Sequence, residues 1–298
     1  MSTIQKNALM GQRALPNFIK IKEEHMFSAI KYLVDENKKL IKEIEKKDKL
    51  SWGNFIHKLE ESDDKISKAW APIRHLNSVM NSPKLRKQYE KSLSLLTSHY
   101  GKVGQNRKLY AKYENFYNTH KNNLNQQQRK LLSDSLKGFR LSGVHLTGDD
   151  RKLFRNSQEK LATLESKFEQ NILDSSNSWE LNFKTIKPLK GMPDNAIETA
   201  AEIAKSKKQS GYTLTLDQPC YMAVMTFAED RKLRKKVYAA YASRASNEFP
   251  IKGKWDNTKI IEEILELRQL ISEILGFQNY TEYSLATKMA KTPGDVVK

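Results

Sequence analysis

The stretch LPNFIKIKEEHMFSAIKYLVDENKKLI, residues 15–41, decides the fold class because its apolar residues repeat at helical spacing. From residue 23 onward, apolar side chains recur three or four positions apart: Met26, Phe27, Ile30, Leu33, Val34, Leu40, Ile41 and Ile44. This spacing places them on one face of an amphipathic helix. The same period continues through much of the chain, which predicts a mainly α protein of long antiparallel helices.

The next helices are delimited by capping and stop residues. Phe55 to Leu76 carries a second apolar stripe, and Pro83 begins a third helix, for which Gly101 and Gly104 are the stop signals. A fourth helix carries Leu109, Tyr113, Phe116 and Tyr117. In a fifth, over residues 125–138, Asn125 is the predicted N-cap and Gly138 the predicted end.

Helix starts recur further along the chain. Thr147 is the predicted N-cap of a long helix whose first turn carries Asp149 and Asp150. The predicted starts of three later helices are Asp230, Asp256 and Asn279, and the second of these helices is predicted to end at Gly276.

Two segments alternate with period two instead. Residues 178–186 and 211–217 have apolar and polar side chains on alternate positions, which is typical of β-strands. A helix at about Ala196 to Lys205 lies between them. We expect one small two-stranded β patch and not a sheet-based domain.

Composition limits the function classes. The chain has 298 residues and a formal net charge of +17, with lysines dispersed along the predicted helices. Dispersed lysines favour solvated helix faces over a nucleic-acid footprint, which more often clusters arginines. No apolar run approaches the ~20 residues of a membrane span. The single Cys220 leaves no internal disulfide, so we expect a cytoplasmic protein without a membrane partner.

The candidate reactive residues favour structural roles. We interpret Cys220 as a small side chain at a helix start, and His25 as a cap or surface contact. His57 and Glu61 have the i, i+4 spacing of a metal pair but lie in a charged stretch, HKLEESDD. Neighbouring carboxylates are assigned to first turns or polar faces: Glu60 and Glu61, Asp63 and Asp64, Asp149 and Asp150.

Recognisable catalytic motifs are missing from the sequence. None of the six histidines is followed by glutamate, so the His-Glu-x-x-His pattern of zinc peptidases does not occur. Phosphate-binding glycine loops and the Gly-x-Ser-x-Gly nucleophile elbow do not occur either. We therefore predict no catalytic and no metal-binding residue, and we name no substrate-binding residue.

Five blocks in a fixed order nevertheless resemble a known family, the thimet-type oligopeptidases of family M3. The blocks are residues 15–41, GFRLSGVHLTGDDRKLF at 138–154, FEQNILDSSNSWEL at 168–181, YTLTLDQPCYMAVMTFAEDRKLRKKVYAAYASRAS at 212–246 and LRQLISEILGFQNYTEYSLATKMA at 267–290. Each block alone is a weak signal, but together they extend over nearly the whole chain.

The resemblance implies an α-rich fold with a deep channel that admits short peptides. It also implies a His-Glu-x-x-His helix whose histidines, with a later glutamate, bind zinc. No residue of this sequence matches those positions. The resemblance thus implies that residues 1–298 are the N-terminal helical half of an oligopeptidase fold, without the catalytic zinc domain. Zinc is then expected only with the missing C-terminal half.

The last residues, TPGDVVK, fit that expectation. Thr292 can be an N-cap, Pro293 the first helical residue and Asp295 a first-turn carboxylate. We therefore expect an interrupted chain, inactive alone, and leave three origins open: an engineered N-terminal piece, a gene split by a frameshift, or a fragment of a longer recorded sequence. The alternative is a stand-alone basic helical binding module for acidic peptides, nucleic acid or a separate catalytic half.

Overall fold

The computed structural model describes residues 7–11, 15–248 and 253–298. In these ranges the chain forms twelve α-helices and one pair of strands, which confirms the mainly α fold class. The helices are α1 (Glu23–Lys46), α2 (His57–Val79), α3 (Pro83–Gly104), α4 (Arg107–His120), α5 (Gln126–Leu141), α6 (Gly148–Asn177), α7 (Asp194–Ser206), α8 (Gln218–Phe227), α9 (Arg231–Ala242), α10 (Thr258–Ile274), α11 (Tyr280–Leu285) and α12 (Pro293–Val297). The strands are β1 (Glu180–Phe183) and β2 (Tyr212–Thr215).

The chain divides into two compact units. The first unit comprises the described residues of Met1–Ala162 and Leu267–Lys298, and the second unit those of Thr163–Glu266. The first unit is therefore built from two separate segments of sequence, with the second unit inserted between them.

The core of the first unit has two parts. The predicted stripe of α1 packs against α2 and α3, where Met26, Ile30 and Val34 are at most 1% exposed. Further along, Phe55 is fully buried and its ring meets that of Tyr113 edge-on at a centroid distance of 4.8 Å. Full burial of such a side chain stabilises the fold by about 1.5–3 kcal/mol. These contacts hold α1 to α5 together as a bundle.

Most predicted helix starts are confirmed by hydrogen bonds. The Asn125 side chain accepts from the Gln128 N–H at 2.8 Å, and Thr292 accepts from Asp295 at 3.2 Å in a reciprocal capping box. Gly276, at φ +84°, follows the end of α10 as predicted. Such caps pair N–H and C=O groups that the helix leaves without partners.

One predicted helix end is wrong, that of α5 at Gly138, whereas α3 ends at Gly104, the second of its two predicted stop residues. α3 continues through Gly101 to Gly104, and α5 continues through Gly138 to Leu141. The residue that ends α5 is Gly143, whose φ is +74°. Its N–H donates to the Arg140 carbonyl and the next N–H to the Phe139 carbonyl, the pattern of a Schellman motif. Gly101 and Gly138 do not take a positive φ, and their helices continue through them.

The second unit contains the β patch. β1 and β2 pair antiparallel, with Glu180 opposite Thr215 and Phe183 opposite Tyr212. Both strands are shorter than the predicted 178–186 and 211–217. The helix between them, α7, packs against β2, as the core residues Leu214 and Ala200 show by their burial. Gly211 enters β2 at φ +86°, and a Cβ there would lie 2.0 Å from the Phe183 carbonyl oxygen.

Candidate functional site

A buried polar side chain interrupts the apolar stripe of α1. Asn37 occupies a core position of the stripe and is 1% exposed. Its Nδ2 donates to Ser62 Oγ at 2.9 Å and to Asp63 Oδ1 at 3.1 Å, both on α2. Its Oδ1 faces His99 Nε2 on α3 at 3.0 Å. The Asn37 amide therefore connects three helices, and both its nitrogen and its oxygen are hydrogen-bonded. An unpaired buried amide would cost free energy.

His99 is the donor at one end of this hydrogen-bonded chain. It is 3% exposed, and burial, together with the positive charge of Lys38, lowers its pKa to about 4. The imidazole is therefore neutral near pH 7, and Nε2 carries the proton because the Asn37 oxygen can only accept. A neutral histidine in this position is a fixed donor to Asn37.

Asp63 is the acceptor at the other end. Burial and, to a smaller extent, the nearby charge of Glu60 raise its pKa to about 6, against the lowering effect of the Asn37 hydrogen bond. The pKa of Glu60 is also raised by burial. The sequence assigned Asp63 to a solvated polar face, and this assignment is wrong, because α2 turns the residue toward α1 and α3.

These side chains border a cavity of about 270 Å³, which we call the carboxylate cavity. Its polar lining includes Asn37, Glu60, Asp63, Tyr100 and Tyr113. Burial and the two carboxylates raise the pKa of Tyr113, whose side chain is 5% exposed. The cavity thus has two carboxyl groups of raised pKa beside phenols that stay protonated, so Asp63 can exchange a proton near neutral pH.

The described residues do not form a metal site. Within residues 7–11, 15–248 and 253–298, no three His, Cys, Asp or Glu side chains are arranged to hold a metal ion. Zinc sites of proteins use three or four such ligands. The side chains of these ranges therefore do not fit the zinc centre of the resembled family, and we derive no step through it.

The other candidate residues occupy the structural positions that were assigned to them. Cys220 lies in the first turn of α8, half-buried, and burial raises the pKa of its thiol. His57 Nε2 and Glu61 Oε1 are 3.5 Å apart on the exposed face of α2. His25 Nδ1 accepts from the Lys22 N–H at 3.1 Å, which confirms its capping role. Asp149 and Asp150 lie exposed in the first turn of α6.

A sequence signal for the cavity exists in the helical stripes. In α3, the buried positions Leu85, Tyr89 and Leu96 continue through His99, just as Asn37 continues the stripe of α1. Polar residues at core positions predict buried hydrogen-bonded partners. The partners themselves, 25 to 62 positions apart in the chain, were not predictable from the pattern.

Among the described residues, no helix is long and apolar enough to cross a membrane. Two family models match the chain in succession. Residues 30–151 match the N-terminal domain of neurolysin and thimet oligopeptidase. Residues 224–298 match peptidase family M3. The helical bundle and the two matched segments define a member of the M3 peptidases, and the chain belongs to this family of thimet-type oligopeptidases.

Within the family, the chain is similar to bacterial and plant oligopeptidases A. It is 40% identical over 292 residues to Oligopeptidase A of Haemophilus influenzae, over 98% of this chain and 43% of that protein. Oligopeptidase A of Escherichia coli is 38% identical, with the same two coverages. The probable cytosolic oligopeptidase A of Arabidopsis thaliana is 32% identical over 97% of this chain and 42% of its own. The chain therefore spans less than half the length of the curated relatives it matches.

Proposed function

We propose that this chain is the N-terminal helical portion of a cytoplasmic zinc oligopeptidase that hydrolyses short peptides, and that residues 1–298 alone do not hydrolyse them. The observation that carries the proposal is the pair of successive matches, an N-terminal-domain match followed by a family M3 match that extends to residue 298. The curated oligopeptidases A support it, since the chain aligns over nearly its full length to 43% of those proteins.

The proposed role of this chain differs from that of the zinc-binding half. Bound zinc supplies a Lewis acid and an activated water, and the 298 residues contain no His-Glu-x-x-His motif to hold it. This chain would contribute rigid helices that form one wall of the peptide channel. Its buried Asn37 hydrogen bonds fix α1, α2 and α3 against one another, and a rigid wall positions a substrate at little entropic cost. A cytoplasmic location agrees with the name of the plant relative, a probable cytosolic oligopeptidase A.

The alternative is a basic helical binding module that acts without a catalytic half. Its supporting observation is the formal net charge of +17. Such a module would bind a polyanion with an affinity that falls steeply as salt increases. An N-terminal peptidase portion requires its other half instead, and its retention on heparin is expected to vanish when that half is supplied.

The experiment uses a quenched fluorescent short peptide and three samples. The first is the 298-residue chain with zinc, for which we expect no hydrolysis. The second is a chimera in which this chain replaces the aligned portion of Haemophilus influenzae Oligopeptidase A, for which we expect hydrolysis that a chelator abolishes. The third, that relative's remaining portion alone, controls for activity that needs no N-terminal partner. Chelator-sensitive hydrolysis by the first sample would refute the proposal, as would a folded but inactive chimera.

A further inference from the structure

A second cavity, of about 420 Å³, lies in the first unit, and four of its lining residues are aromatic. We call it the aromatic cavity, and its principal lining residues are Trp70, Tyr100, Phe154, Arg155 and Tyr283. Its volume is within the range of small-ligand pockets, about 300–1,000 Å³. Asn37, His99 and Asp63 are not part of its lining, although Tyr100 borders both this cavity and the carboxylate cavity.

The aromatic walls are held in place by their neighbours. The Trp70 ring stacks on Tyr89, with centroids 5.0 Å apart and planes inclined by 17°. Phe154 is 4% exposed, and the Tyr283 hydroxyl is hydrogen-bonded to the Gln158 side chain. Fixed rings form a preorganised apolar site, because a ligand that enters it does not have to order them.

The charge of the lining has one sign. Arg155 is the one ionisable side chain of fixed charge among the described lining residues, and no aspartate or glutamate accompanies it. Its aliphatic stem packs beside Gly101, where a Cβ would lie 3.7 Å from Arg155 Cγ. No described residue accepts a hydrogen bond from its guanidinium or pairs with it. A half-buried guanidinium without a carboxylate partner is an anion-binding group.

We propose that the aromatic cavity binds the C-terminal aromatic residue of a peptide, with the carboxylate on Arg155 and the side chain between the aromatic walls. An aromatic carboxylate combines the two chemistries that the cavity offers, an apolar ring slot and one unpaired cation. The choice of a peptide over a free aromatic acid rests on the proposed function. The proposal goes beyond hydrolysis, since residues 1–298 alone are sufficient for this binding.

The test is equilibrium binding to the 298-residue chain by isothermal titration calorimetry. The probes are N-acetylphenylalanine, its amide, the tripeptide Gly-Gly-Phe and phenylpropionate. We expect N-acetylphenylalanine to bind at least about tenfold more tightly than its amide, which lacks the charge, since a charge-assisted hydrogen bond contributes that much. Gly-Gly-Phe is expected to bind at least as tightly as phenylpropionate. Equal affinity for the acid and the amide would overturn the proposal, and a preference for phenylpropionate would overturn its peptide part.

Substitutions locate the binding. Arg155→Gln is expected to weaken N-acetylphenylalanine binding at least about tenfold. Arg155→Lys keeps the positive charge and is expected to retain part of the native affinity. The matched control is Arg129→Gln, which removes an exposed arginine on α5 outside the cavity. Thermal unfolding checks that each variant is folded. Unchanged binding in the folded Arg155→Gln variant, or an equal loss in the Arg129→Gln variant, would overturn the assignment. Hydrolysis by the chimera is scored separately, so either proposal can fail without the other.

Discussion

Replacement of Asp63 by asparagine is expected to stabilise the chain at neutral pH. The substitution keeps the size of the side chain and an oxygen that can accept from Asn37 Nδ2, 3.1 Å away in the native protein. It removes a carboxylate that burial and Glu60 disfavour. In the folded protein the pKa of Asp63 is about 6, above its ordinary value of 3.8. The folded state therefore binds a proton over a pH range in which the unfolded state has released it.

The sign and size of the expected change in the free energy of unfolding follow from the linkage between proton binding and folding. A folded-state pKa that lies above the unfolded one lowers the free energy of unfolding as pH rises from 3.8 through about 6, and the loss levels off above that range. The full shift corresponds to about 3 kcal/mol against folding at neutral pH. Because Asp63 is half-buried and the cavity can hold water, we expect Asp63→Asn to recover about 1–2 kcal/mol.

The pH dependence separates this effect from packing. The stability difference between Asp63→Asn and the parent should grow by about 0.5–1 kcal/mol from about pH 5 to about pH 7.5, since nearly half of the total effect falls in that range. His99 has the opposite slope, since its pKa is lowered to about 4 and its contribution rises with pH. This contribution is present in both proteins and cancels in the difference. The assay is urea unfolding at both pH values, followed by circular dichroism.

Asp64→Asn is the matched control, since it changes the next residue. Asp64 is exposed and pairs with Lys68 at 2.6 Å, so its loss should change the free energy of unfolding by at most about 0.5 kcal/mol. If Asp63→Asn destabilised the protein equally at both pH values, the main role of the native Asp63 side chain would be to accept a hydrogen bond from Asn37. The electrostatic reasoning would then be refuted.

Two further predictions concern Gly211 and Cys220 of the second unit, and Gly53 of the first unit is the control for Gly211. Gly211→Ala should lower the free energy of unfolding by at least about 2 kcal/mol, because of the φ of +86° and the 2.0 Å approach of a Cβ to the Phe183 oxygen. Gly53→Ala, which meets no atom within 4 Å, should be neutral or stabilising by up to about 1 kcal/mol in the same urea unfolding assay. Cys220, whose pKa burial raises, should react with Ellman's reagent at pH 8 more slowly in the native chain than in urea. Equal rates in the two states would show that its thiol is accessible and unperturbed.

The helical architecture was predictable because its signals are local. Apolar stripes and side-chain caps such as Asn125 and Thr292 act over three or four residues, and the structure confirms them. The wrongly predicted end of α5 has a different cause. Gly138 and Gly143 are indistinguishable as residue types, but only Gly143 takes a positive φ. The packing of Phe139 and Val144 in the same core cluster accompanies that turn, and packing is not a local property.

The carboxylate cavity was not predictable in the same way. Asp63 and Asp64 are adjacent and chemically alike, so both were predicted to lie on a polar helix face. In the structure, Asp64 pairs with a surface lysine, while Asp63 meets an amide from another helix. Only the angular position around α2 separates them, about 100° per residue. Asn37 and His99 continue the apolar stripes of α1 and α3, so their positions would have indicated buried polar side chains. The stripes would not have identified the residues that pair with them.

The two-segment composition of the first unit has a consequence for biosynthesis. Lys137 Nζ donates to the Ala286 carbonyl at 3.1 Å, across 149 positions of sequence, and Tyr283 bonds to Gln158. A ribosome that adds about 5–20 residues per second needs about 5–25 s to pass from the end of the first segment to Tyr283. During that interval α5 and the start of α6 lack the partners that α11 provides. The nascent chain therefore exposes an unfinished aromatic cavity while the inserted unit is being made, and this is the period in which a chaperone would find apolar surface to bind.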